Sequence, residues 1–325
     1  MEQNSIARAP RRGARAAGLA GAATTLALAL AGPAAAAGPP AALTGAAREV
    51  GYASAVLTGT INPQAAGTSY YFQYGVTRAY GSQSVIGDAG SGTAAVSVRV
   101  AVGGLAPITL YHYRLVAVNA NGTTLGSDRV LATQKVPLSL AILASPNPVL
   151  FGAPFQVKGT LSGTGNGGRP VVLQGDAFPF TAGFQDIGNP ELTTATGGFT
   201  FNLLDASLVT QFRVLTVGSP AIVSPVVTES VAVRVESHIA RTRRRGYVRI
   251  YGTVTPAENG AQVGMLRIVA GRGVLAGGTI LKANGTTTSS GFSRVLHVHR
   301  GVYRVLVRIQ NAGQVSNYGN PLVIR

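Results

Sequence analysis

The sequence predicts an all-β protein in which a signal peptide is followed by three tandem β-sandwich domains. After Gly38 the chain shows no sustained helical period. Short alternating runs rich in Val, Ile, Thr, Tyr and Phe are separated there by Gly, Pro, Asn and Ser, the pattern of many short strands. Two short patterns also recur three times at matched spacing. The chain contains no cysteine, so buried apolar area rather than disulfide bonds must stabilise the fold.

The two recurring patterns define a repeat of about one hundred residues. One is a Gly-Thr-aliphatic step, and the other is an aromatic residue followed by Arg and two aliphatic residues. The separations from the Thr to the aromatic residue are 53, 52 and 50 residues. The first pattern occurs as Gly59-Thr60-Ile61, Gly159-Thr160-Leu161 and Gly252-Thr253-Val254, and the second begins at Tyr113, Phe212 and Tyr303.

Because side chains alternate between the faces of a strand, the second pattern predicts a buried row in each domain. We expect these rows to contain Tyr111, Tyr113, Leu115 and Ala117, then Phe212, Val214 and Thr216, then Tyr303, Val305 and Val307. The predicted organisation is a signal peptide at 1–37, a linker at 38–43, and domains at 44–135, 136–235 and 236–325. Linkers between domains are expected near Gln134–Pro137 and Arg234–Ser237.

The stretch LAPITLYHYRLVAVNANG, from Leu105 to Gly122, resembles the E–F corner and F strand of fibronectin type III domains, and YYFQYG from Tyr70 resembles their C strand. The resemblance covers residues 44–134. It implies that Tyr111 is the tyrosine-corner residue, whose hydroxyl bonds backbone a few residues upstream. The tryptophan usual in that family is absent, because the chain has none. The two later domains resemble bacterial immunoglobulin-like domains.

Residues 1–37 read as a secretory signal peptide. Four arginines precede an apolar run from Leu19 to Ala31, and small residues before Gly38 favour cleavage there. An uncleaved anchor is the alternative, although the apolar run is short for a membrane span. We expect a bacterial protein that is secreted or non-covalently associated with the cell envelope, since 24 arginines against 3 lysines suggest a GC-rich genome.

The net charge of +16 is concentrated in the last third of the chain. Residues 38–237 hold 10 basic and 9 acidic residues, whereas residues 238–325 hold 13 basic and 1 acidic residue. The densest cluster consists of Arg241, Arg243, Arg244, Arg245 and Arg249. This pattern predicts contact with a polyanion, such as an anionic cell-wall polymer, a membrane surface or nucleic acid bound without sequence specificity. A solvated strand surface that resists aggregation is the alternative.

Motifs of catalysis and cofactor binding are lacking, and the eleven acidic residues are scattered. We therefore expect that the protein is not an enzyme and that it binds neither a cofactor nor a metal. His297 and His299 lie two residues apart, but the arginines beside them favour an exposed strand face over a metal site. The loop containing Phe178, Phe180 and Phe184 is expected to fold back on the core rather than to present an apolar binding surface.

These observations favour a non-enzymatic spacer or adhesion protein built of β-sandwich modules. The alternative is a protein that binds a polyanion or a glycan through its arginine-rich third domain.

Overall fold

The computed structural model describes residues 37–325, and its regular structure consists of strands without a helix in that range. The predicted signal peptide therefore lies outside the described residues, apart from Ala37. No helix in the described part of the chain is long and apolar enough to cross a membrane. The prediction of an all-β protein with tandem sandwiches is confirmed by the sheets.

The described chain forms two compact units. The first contains the residues up to Glu49 together with 55–102 and 111–131. The second contains 50–54, 103–110 and 132–325, and it includes the whole of the second and third sandwiches.

The first sandwich pairs a three-stranded sheet, β1-β2-β6, with a sheet ordered β4-β3-β7-β8, to which β5 and β9 add. Residues 41–43 of the predicted linker belong to β1, because they pair with the central strand β2. The strands are β1 (Ala41–Thr44), β2 (Ser54–Asn62), β3 (Ser69–Gly75), β4 (Ser82–Gln83), β5 (Gly87–Asp88), β6 (Val96–Gly103), β7 (Leu110–Asn119), β8 (Gly122–Leu125) and β9 (Arg129–Ala132).

The second sandwich pairs β10-β12-β15 with β14-β13-β16-β17, and a short parallel pair, β11-β18, flanks them. Its core contains four buried phenylalanines, and the ring centroids of Phe155 and Phe212 lie 5.7 Å apart. The strands are β10 (Ser139–Ser145), β11 (Val149–Leu150), β12 (Phe155–Ser162), β13 (Pro170–Ala177), β14 (Gln185–Leu192), β15 (Gly198–Leu203), β16 (Thr210–Thr216), β17 (Val227–Glu229) and β18 (Val231–Ala232).

The third sandwich pairs β19-β20-β24-β23 with β22-β21-β25-β26, and β27 adds to β25. Its core centres on Ile250, Met265 and Tyr303. The strands are β19 (Arg234–Arg241), β20 (Tyr247–Thr255), β21 (Gln262–Val269), β22 (Arg272–Ile280), β23 (Lys282–Ala283), β24 (Ser290–His297), β25 (Gly301–Arg308), β26 (Asn317–Tyr318) and β27 (Leu322–Ile324).

The repeated Gly-Thr steps lie in β2, β12 and β20, the central or near-central strands of equivalent sheets. A side chain at Gly59, Gly159 or Gly252 would collide with a carbonyl oxygen of the adjacent edge strand and with a core side chain. The blocking carbonyls belong to Leu43, Ala141 and Glu236, and the core side chains to Leu115, Phe199 and Phe292. Glycine therefore recurs because each sandwich needs the same close approach.

Nine of the ten residues in the predicted core rows are buried. The exception is Tyr111, which is half-buried near the start of β7. The arginine after each aromatic residue takes the opposite face, and its guanidinium lies over an aromatic ring. Arg114 covers Tyr80, Arg213 covers Phe184 and Arg304 covers Tyr318. The repeat is thus a buried ring on one face of the sheet and a stacked arginine on the other.

The second and third sandwiches meet without a free linker. The predicted linker at Arg234–Ser237 lies inside β19, since Arg234 already pairs with Thr255. A loop of the third sandwich bonds to the second: Val209 N donates to Gly313 O at 2.8 Å, and Gln314 Nε2 donates to Ser207 O at 3.0 Å. These contacts join the two sandwiches into one compact unit.

Candidate polyanion-binding site

The arginine cluster is built on the hairpin between β19 and β20. Thr242 Oγ1 contacts the carbonyl oxygens of Arg244 and Tyr247 at 3.0 and 2.9 Å, and Tyr247 N donates to Arg244 O at 3.2 Å. Gly246 closes the turn at φ +79°, a left-handed conformation that favours glycine. These bonds fix the backbone from which three consecutive arginines, 243 to 245, project.

All five predicted arginines are exposed, but they occupy two places. Arg241, Arg244 and Arg245 line a cavity of about 280 Å³ at one end of the third sandwich. Arg249 instead lies on the sheet, with its guanidinium carbon 4.7 Å from the centroid of the Tyr251 ring. Arg243 is exposed in the turn and does not line the cavity. The structure thus brings together three of the five.

Two further arginines complete the cavity, which we call the arginine pocket. Arg300 reaches it from the turn between β24 and β25, and Arg325 follows β27. Both arginines lie outside the dense cluster from Arg241 to Arg249 that the sequence singles out. Only strand pairing reveals the convergence: Tyr247 faces His297 across β20 and β24, and Gly301 faces Ile324 across β25 and β27.

The charge of the pocket is not neutralised by carboxylates in the described chain. Within residues 37–325, both ion pairs involve Asp128 of the first sandwich, with Arg78 and His112 as partners. The only acidic residue of 238–325, Glu258, accepts a hydrogen bond from Asn311 Nδ2. Five arginines therefore line one cavity, and none of them forms an ion pair in the part of the chain that the structure describes, which favours binding of an external anion.

Aromatic rings support the exposed arginines. The Arg244 guanidinium carbon lies 4.1 Å from the centroid of Tyr247, whose ring meets His297 at 5.2 Å. His297 and His299 are both exposed, with ring centroids 5.3 Å apart. No three metal-ligating side chains cluster anywhere in residues 37–325. These histidines extend an aromatic row beside the pocket.

The phenylalanine loop of the second sandwich is half-buried. Phe178 and Phe180 meet edge to face at 5.7 Å, and Phe184 lies beneath the guanidinium of Arg213. The loop therefore packs partly on its own sandwich, as predicted. Its rings, however, are not part of the core cluster of that sandwich.

A polar network that the sequence did not indicate lies on the first sandwich. Asp128 accepts hydrogen bonds from Tyr80 Oη at 3.0 Å and from His112 Nδ1 at 2.9 Å, and Arg78 Nε lies 3.3 Å away. Burial opposes ionisation of Asp128, but the bonds from His112 and Tyr80 hold its pKa below the ordinary value. Both carboxylate oxygens are occupied, so the network acts as a structural clamp.

One tyrosine of β7 joins this strand to the segment after β1 by hydrogen bonds. The hydroxyl of Tyr113 donates to Gly45 O at 2.9 Å and accepts from Ala47 N at 2.7 Å. Tyr111 is half-buried two residues earlier, and its tyrosine-corner role stays a prediction. The sequence placed Tyr113 in the core but gave no sign of its bonds across the sandwich.

No protein-family model matches the chain, and no curated protein matches its sequence. Solved structures are similar over most of its length. The FN1-FN3 domains of chicken CNTN1 are 14% identical at a TM-score of 0.30, covering 87% of this chain and 96% of that one. Domains A168-A170 from titin are 13% identical at a TM-score of 0.36, covering 88% of this chain and 99% of that one.

A tetra-tandem repeat in the extending region of a large adhesion protein is 13% identical at a TM-score of 0.27, covering 88% of this chain and 74% of that one. By its own sheets, the chain is an all-β protein of tandem fibronectin-type-III-like and immunoglobulin-like sandwiches.

Proposed function

We propose that this chain is an exported, non-enzymatic adhesion protein of the cell envelope. Its sandwiches act as a spacer, and the arginine-rich end of the third sandwich binds a polyanion. The observation that carries the proposal is the arginine pocket, where Arg241, Arg244, Arg245, Arg300 and Arg325 meet without a carboxylate partner among residues 37–325.

Arginine suits this role because its planar guanidinium donates several hydrogen bonds and keeps its charge at every physiological pH. Five such groups around about 280 Å³ create a strongly positive, concave surface. A polymer with repeating phosphate or carboxylate groups satisfies several arginines at once. Arg249 and the rings of Tyr247 and Tyr251 extend the surface along β20, beyond the size of a single ion.

The acidic residues with shifted pKa values, Asp128 and Glu229, both take part in contacts that stabilise the fold, which supports a non-enzymatic role. Asp128 is saturated by Tyr80, His112 and Arg78. Glu229 is buried in the second sandwich, where its Oε1 accepts a hydrogen bond from Val149 N at 3.1 Å. Neither group faces the arginine pocket.

The proposal is tested by following the protein in fractionated cells. We expect the exported chain to remain with the envelope fraction and to elute at about 1 M salt, where the screening length falls to about 3 Å. The variant with Arg241, Arg243, Arg244 and Arg245 changed to Ala should appear in the medium. A matched variant of Arg272, Lys282, Arg294 and Arg308 loses the same charge and should stay bound. Equal release of both variants would show that net charge alone acts.

A further inference from the structure

The second sheet of the third sandwich has an apolar groove on its outer face. The groove has a volume of about 700 Å³ and is lined by residues of β21, β22, β25 and β26. Gly264 faces Gly278 on one neighbouring strand and Leu306 on the other, so two glycines form a floor that lacks side chains. Leu266 and Leu275 form one wall, and Tyr318 stands opposite.

Large apolar side chains around this groove are unusually exposed. The exposed fraction is 67% for Leu275, 49% for Ile280 and 44% for Tyr318. Single exposed apolar residues are ordinary, but here they surround one continuous concave surface. Such a surface on an outer sheet face indicates a binding site, because that face is usually polar.

The groove lies along an unprotected edge strand. β22 has nine residues and pairs with β21 alone among the described strands. The equivalent edges of the other sandwiches are protected: β4 and β5 have two residues each, and β14 contains Pro190. β22 contains no proline, and apart from one bulge at Ala276 it offers a long edge that pairs with no second strand among those described.

Positive charge lies at the start of β22 and, across β21, at the far end of the groove. Arg272 is the first residue of β22, and Arg308 lines the groove near Ile280, since both pair with Gln262. The last third of the chain has 13 basic residues and 1 acidic residue, so a second copy would bring like charge to the same place. Charge complementarity therefore favours a partner with acidic residues at its ends.

We propose that β22 and the adjoining groove bind an extended polypeptide segment of another protein, which adds to the sheet as a further strand. The segment has apolar residues at alternate positions, which pack against Leu275 and Ile280. It has acidic residues at both ends, of which one meets Arg272 and the other is attracted by Arg308 across the groove. Backbone hydrogen bonds to β22 contribute to the affinity. The groove and the arginines determine the register in which the segment pairs with β22.

The test uses the whole chain and a nine-residue peptide with valine at alternate positions, threonine between them and glutamate at both ends. We expect saturable binding by fluorescence anisotropy, together with slower amide hydrogen exchange in β22. A peptide with lysine at both ends should bind at least about tenfold more weakly, and a peptide with a central proline should not bind. Absent binding of the first peptide, equal binding of the lysine peptide, or unchanged exchange in β22 would overturn the proposal.

Two variants locate the site. Leu275→Glu places a charge in the groove and should lower affinity by at least about tenfold. Val323→Glu changes a similarly exposed apolar residue outside the groove and should leave binding unchanged. Equal loss in both variants would overturn the placement. A monomer–dimer equilibrium that Leu275→Glu abolishes would show that a second copy is the occupant and would also overturn the proposal. The four-arginine variant should retain peptide binding, which separates this site from the arginine pocket.

Discussion

Arg244 lies over the ring of Tyr247, with its guanidinium carbon 4.1 Å from the ring centroid. Both residues line the arginine pocket, so the ring fixes a cation that would otherwise sample many rotamers in water. An arginine ordered in advance loses less entropy when an anion binds. The relationship links the local sequence RRRGY, from Arg243 to Tyr247, to the proposed function of the third sandwich.

Removal of this ring should weaken binding by a small and specific amount. We expect Tyr247→Leu to lower affinity for poly(glycerol phosphate) about two- to fivefold, since a cation–π contact at an exposed site contributes about 0.5–1 kcal/mol. Tyr247→Phe keeps the ring and should bind like the wild type. Titration calorimetry at low salt measures both variants. Equal affinities for the leucine and phenylalanine variants would show that the ring does not position Arg244.

The buried carboxyl of Glu229 should make stability depend on pH. Burial raises its pKa to about 7 from an ordinary value of 4.5, although a hydrogen bond from Val149 N opposes the shift. The folded state therefore favours the protonated form. The buried carboxyl therefore stabilises the fold fully below about pH 4.5. This contribution to the free energy of unfolding, roughly 3 kcal/mol in total, is lost as the pH rises through about 7.

Thermal unfolding between pH 5 and 8 measures this effect. The wild type should show a falling Tm over that range, and Glu229→Gln should flatten the profile, because the amide stays neutral and still accepts from Val149. Glu236→Gln, at an exposed position of β19, is the matched control and should keep the wild-type slope. A Glu229→Gln profile as steep as the wild type would rule out this carboxyl as the source.

Loss of the Tyr113 hydroxyl should destabilise the first sandwich. Tyr113→Phe removes two hydrogen bonds, to Gly45 and Ala47, and should cost about 1–3 kcal/mol of unfolding free energy. Urea unfolding measures the cost, and hydrogen exchange should show faster opening in β1–β9 only. Tyr52→Phe, at a half-exposed ring, should be neutral. A similar change of exchange in β19–β27 would contradict a local role for Tyr113.

The fold could be predicted from the sequence more fully than the candidate sites. The Gly-Thr steps and aromatic-Arg runs predicted equivalent strands in three sandwiches because close approach and core packing repeat in each. The joint near Arg234 contains no free linker, because β19 begins there directly after β18 ends at Ala232. Asp128 meets Tyr80 from 48 residues away, and Arg325 meets Arg241 only through the pairing of several strands. Such convergence depends on register, which local patterns do not determine.

The most direct test of polyanion binding is the salt dependence of affinity for B-DNA, used here as a polyanion of known charge spacing. The wild-type chain should bind two unrelated duplexes equally, with affinity falling steeply as salt rises. The four-arginine variant at Arg241, Arg243, Arg244 and Arg245 should reduce the log–log slope by about 3, because three of these arginines line the pocket. The matched variant at Arg272, Lys282, Arg294 and Arg308 should leave the slope near the wild-type value. No binding at low salt, or the same slope in both variants, would contradict a polyanion site at the arginine pocket.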